Sequence, residues 1–237
     1  MTLRWAATYP AVHAIQALDS TAGAVFANGF IIQQGTSVPD FSTGATPIAN
    51  YKSFTQFRNE VASHTIHPQF AWVMYDIENW ADTPPSEARD PWTAMQGFGQ
   101  YAHAHGYNVI QTPARDLGSN PNSVHPKGPG ETLEDWYLRT QIADVAGRYS
   151  DMIDIQAQAL QADVTSFAAF AASARSQSLG ANSYGTNLVG VSTDRGTAQQ
   201  MADAAKSATF GGFWLNVPGP NPDYQEAVAF LRLYLGL

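Results

Sequence analysis

Short apolar or β-branched runs alternate with stretches of helical periodicity from about residue 69 onward, and this alternation is what most constrains the fold. The strand candidates span residues 70–77, 108–112, 152–160, 187–193 and 212–217, each apolar enough to be buried on both faces. The helices between them carry start signals. Asp90-Pro91 supplies an N-cap and a first-turn proline before Trp92, Met95 and Phe98, and Gly106 closes that helix. Thr132-Leu-Glu-Asp135 reads as a capping box ahead of Leu138, Ile142, Val145 and Tyr149 at helical spacing. Asp163 precedes Phe167, Phe170 and Ala174, and Gly180 follows. Thr197 opens a helix with Met201 and Ala205 on one side, and Asn221-Pro222 starts the last, striped by Ala227, Leu231 and Tyr234.

Upstream, residues 51–63 read as a helix carrying Phe54, Phe57 and Val61, and residues 23–31 as a strand. That makes six strands. Residues 1–22 and 32–50 must supply two more for a closed barrel, and residues 12–18 are the other strand candidate. The resulting expectation is a (β/α)8 TIM-type barrel, irregular at the N-terminus, with residues 1–237 forming one domain. An open doubly wound sheet is the alternative that the same alternation permits. The length of 237 residues favours the barrel, which typically takes about 250. Connections leaving strands are long (79–89 and 114–131), and those entering strands are short. In parallel α/β folds the loops after strands build the functional face.

Twenty acidic against twelve basic residues give a net charge of -8, so a concentrated basic surface for nucleic acid or anionic membrane is missing. The chain has no cysteine, which excludes disulfides, thiolate nucleophiles and cysteine-bound zinc. No apolar stretch is long enough to span a membrane, and Met1-Thr-Leu-Arg-Trp5 lacks a signal peptide's apolar centre. A soluble protein is expected, cytoplasmic or secreted with its leader removed. The partner expected is a small-molecule or oligosaccharide substrate. The oligomeric state is left open.

In Trp72-Val-Met-Tyr-Asp-Ile-Glu-Asn-Trp80, strand alternation puts Met74, Asp76 and Glu78 on one face and Val73, Tyr75 and Ile77 on the other. Two residues of rise separate Asp76 from Glu78 by about 6–7 Å along the backbone, so the carboxyls can share a proton or grip one substrate. Close like charges raise one pKa and prepare a general acid. The plainer alternative is a solvated pair, or one bound by Arg115.

Asp-x-Glu at a barrel strand end resembles the tail of the Asp-x-x-Asp-x-Asp-x-Glu signature of family-eighteen chitinases and related glycoside-hydrolase barrels. The first two acids of that signature fall here at Ala71 and Met74. The resemblance implies Glu78 as proton donor to a glycosidic oxygen and Asp76 as its partner or as the group that orients the substrate. Gly211-Gly-Phe-Trp214 is similar to that family's closing strand, which implies that Trp214 floors a sugar site.

Other strand ends place polar groups in the same register: Asp154, Gln156 and Gln158; Ser192 and Asp194; Trp214 and Asn216. The strand at residue 108 runs out into Arg115 and Asp116. Such a set suits a polyhydroxylated ligand, though inward polar residues also bond one another in a barrel's top layer. Trp80 lines the cleft or pins its loop, while Trp92 and Trp136 lie on helix stripes. The expected shell around Glu78 and Asp76 is therefore Gln156, Gln158, Trp214, Asn216, Asp194, Arg115, Asp116 and Trp80.

The six histidines form no evident metal cluster: His64 and His67 precede their strand, and His103 and His105 do not share a helix face. No cofactor is expected, with Mg²⁺ on Asp76, Glu78 and Asp116 as the alternative, since hard cations take oxygen ligands. Nucleotide-binding glycine motifs are missing, and Ser192 lacks a nucleophile elbow because Asp194 stands where the second glycine belongs. Three functions follow: a glycosidase-like hydrolase, a Mg²⁺-dependent lyase or transferase, and a non-catalytic sugar-binding barrel.

Overall fold

A computed structural model describes residues 3–34, 44–178 and 187–237. Eight strands pair in parallel and in sequence order, and β8 closes on β1. They are β1 Arg4–Thr8, β2 Phe30–Gln34, β3 Thr46–Tyr51, β4 Trp72–Tyr75, β5 Asn108–Gln111, β6 Met152–Ile155, β7 Leu188–Ser192 and β8 Gly212–Asn216. The register offsets, carried once round the barrel, amount to a stagger of eight residues, the shear of a (β/α)8 TIM barrel. The closed sheet rules out the doubly wound alternative.

The helices are α1 Tyr9–Leu18, α2 Ser20–Gly23, α3 Phe54–Ala62, α4 Pro85–Arg89, α5 Pro91–Ala104, α6 Leu133–Arg139, α7 Ile142–Arg148, α8 Val164–Ser178, α9 Ala198–Ser207 and α10 Tyr224–Leu235. Two cores follow from strand alternation. Ala6, Phe30, Ile32, Ile48, Met74, Ile110, Met152, Leu188 and Trp214 fill the barrel. Val73, Tyr75, Ile77 and their counterparts on other strands pack outward on the helices.

The start signals work as caps. Asp90 accepts from Thr93 N, Thr132 from Asp135 N, and Thr197 forms a capping box with Gln200. The main departures from expectation lie near the N-terminus. Residues 12–18 belong to α1 rather than a strand: Pro10 opens it, and Ala11, Val12 and Ile15 are buried at helical spacing. Most of 23–31 is helical turn, because Asp19 caps α2 and a 3-10 turn over Ala24–Asn28 follows, so β2 begins at Phe30. Tyr51 ends β3, and α3 starts only after Ser53, whose hydroxyl accepts from Gln56 N.

The helix expected after Thr132 breaks into α6 and α7 at Gln141, which has a positive φ of 53°. The carbonyl of Thr140 at that break accepts from the Trp92 indole at 3.2 Å. Asp223, rather than Asn221, caps α10. Gly180, expected to close α8, lies outside the described residues. No helix among the described residues is long and apolar enough to cross a membrane.

Candidate active site

The ladder of β4 continues past its last strand residue, since Asp76 N donates to Tyr51 O at 2.8 Å and Ala114 N to Ile77 O at 3.0 Å. Asp76 and Glu78 are thus held in strand register on the inward face, above Met74. Asp76 is buried and Glu78 half-buried. Both project into a cavity of about 370 Å³ whose walls include Asn50, Lys52, Trp80, Gln156, Gln158, Trp214 and Asn216. Asp76 and Glu78 are hydrogen-bonded to each other, and Asn50 also bonds Asp76.

Gln156 organises the floor. Its Nε2 lies 3.1 Å from both Asp76 Oδ1 and Glu78 Oε1, 3.1 Å from Thr112 O and 3.0 Å from Thr112 Oγ1. An amide nitrogen has two hydrogens, so four acceptors compete for two donations. Its Oε1 accepts from Gln158 Nε2 at 3.2 Å, and the Thr112 hydroxyl donates to Asp154 Oδ2 at 3.3 Å. A third acid, wholly buried Asp154, is therefore tied to the pair through Thr112 and Gln156.

Burial is the largest influence on all three acids, and it favours their neutral forms. It pushes Asp154 up to about 7, against the Thr112 bond. Asp76 rises to about 7, the Asn50 bond and Lys52 opposing while the charge of Asp154 adds to the rise. Glu78 rises to about 8, helped by the charges of Asp76 and Asp116 and opposed by Gln156 and Lys52. The pair titrates as a unit and holds a proton near neutral pH.

Three buried polar atoms on the cavity lining have no hydrogen-bond partner among the described residues: Asn50 Oδ1, Gln158 Oε1 and Trp214 Nε1. Two accept and one donates, so they would bond hydroxyls of a ligand. Gly190 makes room for this lining, since a Cβ there would stand 2.8 Å from Gln158 Oε1. Trp80 lines the cavity and is also pinned: its indole donates to Thr83 Oγ1 at 2.8 Å, and Lys52 Nζ stands 4.0 Å from its ring centroid.

Seven of the ten sequence-derived site residues come together here: Asp76, Glu78, Trp80, Gln156, Gln158, Trp214 and Asn216. Three stand outside the lining. Arg115 forms an ion pair with Glu134 and lies over Phe170 instead of binding the acidic pair. Asp116 accepts from Asn79 N at 3.0 Å and reaches Glu78 only through its charge. Asp194 is exposed and bonded to Ser192 and Arg195. Asn50 was missed because residues 32–50 had no strand assigned, and Lys52 because residues 51–63 were read as a helix, which begins only at Phe54. Ile48-Ala49-Asn50-Tyr51-Lys52 carries the needed alternation.

Of the remaining tryptophans, Trp136 is core and Trp92 is half-buried against His125 and Trp136. Among the described residues no three His, Asp or Glu side chains gather as a metal-binding group.

No family model matches the chain, and no curated protein does. Among solved structures it is similar to a sugar phosphate isomerase/epimerase from Parabacteroides distasonis. The two are 10% identical, with 98% of this chain and 93% of that chain covered and a TM-score of 0.45. The likeness to family-eighteen chitinases finds no counterpart in these comparisons.

Proposed function

We propose that the cavity binds a carbohydrate and that the chain is a glycosidase-like hydrolase with Glu78 as proton donor. The observation that carries this reading is the buried, hydrogen-bonded Asp76–Glu78 pair, which keeps a proton near neutral pH beneath unpartnered donors and acceptors. A general acid works best with a pKa close to the working pH. In this mechanism Glu78 gives its proton to the glycosidic oxygen, the bond from the anomeric carbon to that oxygen breaks, and its electron pair stays on the leaving group. The Gln156 amide, which donates to Glu78, stabilises the charge left there. Water then attacks the anomeric carbon, and its proton returns to the pair.

Carboxyls in hydrogen-bond contact are closer than the roughly 5–9.5 Å that separate an acid from an independent nucleophile or base. Asp76 therefore acts with Glu78 as one unit. Trp214 and Asn216 on β8, with Gln158 on β6, would position the sugar.

The test is turnover of a panel of aryl glycosides by wild type and Glu78→Gln. Loss of about 10²–10⁴-fold in rate with binding retained is expected; equal turnover by the variant would sink the mechanism. The same assay separates the rivals. Activity lost to EDTA and restored by Mg²⁺ would identify the Mg²⁺-dependent lyase or transferase, and glycan binding without turnover the non-catalytic barrel.

A further inference from the structure

Beside the acidic cavity lies a second one, of about 580 Å³, and Trp80 lines both. It is built by the two long loops of the same face: the one after β4, which contains α4, and the one after β5. Two hydrogen bonds lock these loops together, Val124 N to Arg89 O and Asn120 Nδ2 to Ala88 O, each at 2.9 Å. The Trp80 partition is fixed as well, by Thr83 on its indole nitrogen and Lys52 over its ring. The groove is therefore preformed, which lowers the cost of binding.

Its lining has the chemistry of a hydroxyl-rich ligand. The side chains of Asn79, Ser86, Arg89 and Asn122 face it without a hydrogen bond or ion pair among the described residues, and Trp80 adds an aromatic wall. Amides, a hydroxyl and a guanidinium beside an aromatic ring give oriented donors and acceptors together with an apolar surface.

Glu78 lines the first cavity, and the next residue, Asn79, lines the second. Neighbouring Cα atoms are about 3.8 Å apart, so the acid stands at the boundary between the two cavities. We infer that the ligand is an oligosaccharide lying across both cavities, with an internal linkage above Glu78. This rests on the carbohydrate reading of the acidic cavity and adds to it a chain length and a second binding site.

The experiment measures affinity for β-1,4-linked glucose and N-acetylglucosamine oligomers of one to six units, by calorimetry at fixed pH. It uses wild type and the double variant Arg89→Ala/Asn122→Ala. In wild type, affinity should rise at least about tenfold from one unit to four. In the double variant the ratio between the two lengths should fall to within about twofold, with the thermal melt unchanged because both side chains are exposed. A flat length dependence in wild type, or a ratio that survives the double substitution, overturns the second site. Absence of binding at every length overturns the carbohydrate reading beneath it as well.

Discussion

Replacing Asp154 by Asn should stabilise the protein, and only at neutral to alkaline pH. The carboxyl is wholly buried, its Oδ1 has no hydrogen-bond partner, and its Oδ2 accepts a single bond, from Thr112. Burial lifts its pKa from 3.8 to about 7. A carboxyl whose folded pKa lies above its unfolded value binds more protons folded than unfolded between those two values. Stability therefore falls as pH rises through that window and levels off above it. A shift of about three units corresponds to about 4 kcal/mol as a ceiling, at about 1.36 kcal/mol per unit.

Asn keeps the shape and can still accept from Thr112. Its amide also supplies hydrogens where Tyr137, whose hydroxyl is buried and unpartnered, contributes to the same surroundings. Urea unfolding should show the variant ahead by about 2–4 kcal/mol at pH 8 and by less than about 1 kcal/mol near pH 4. The variant should still lose stability with rising pH, though less steeply, because Asp76 and Glu78 remain. An advantage equal at both pH values, or a loss at pH 8, would refute the claim that Asp154 is held neutral by burial.

The same acids set the pH range of activity: turnover should decline as pH rises past about 8, where Glu78 gives up its proton, and a pH–rate profile reads this directly. In Asp154→Asn the earlier proton loss, from Asp76, should move to lower pH, since the charge of Asp154 helps keep Asp76 protonated. Glu87→Ala should cost about 3–5 kcal/mol in unfolding experiments, because it strands the buried Tyr75 hydroxyl and the first amides of α3. Glu87→Gln should cost less, and equal losses would argue against the hydrogen bonds as the cause. Gly190→Ala should leave the melting temperature nearly unchanged while weakening glycan binding, because its Cβ displaces only the mobile end of Gln158; a large drop in melting temperature would contradict this.

What could be read from the chain follows from how local each signal is. The strands from β4 to β8 are bounded by caps and turns, and their alternation places Asp76, Glu78, Gln156, Trp214 and Asn216 inward without tertiary information. The N-terminal third was harder. Ala11, Val12 and Ile15 look alike in a short helix and a short strand, and Asp19, the cap that decides the matter, comes after them. Asn50 and Lys52 were hidden because residues 32–50 had no strand assigned and the helix was started too early. Arg115 and Asp116 stand outside the cavity lining because the chain leaves strand geometry after β5 and enters a 3-10 turn, so alternation no longer predicts where side chains point.

Two sets of acids on the same face of the barrel are treated differently by their surroundings, and the contrast bears on what the site is for. Glu87 is met by donors on both oxygens: Phe54 N, Thr55 N, the Thr55 hydroxyl and the Tyr75 hydroxyl all lie within 3.0 Å. That is a carboxyl used as a brace, fastening the loop after β4 to α3 and to β4 itself. Asp76, Glu78 and Asp154 lie just as close to the barrel core, yet they share the Gln156 amide, the Thr112 hydroxyl and Asn50. A barrel that needed only a filled top layer would be more stable with apolar residues at these three positions. Undersupplying the donors leaves a proton as the remaining way to relieve the buried charge. Removing Glu87 should therefore loosen the fold, whereas Asp154→Asn should tighten it.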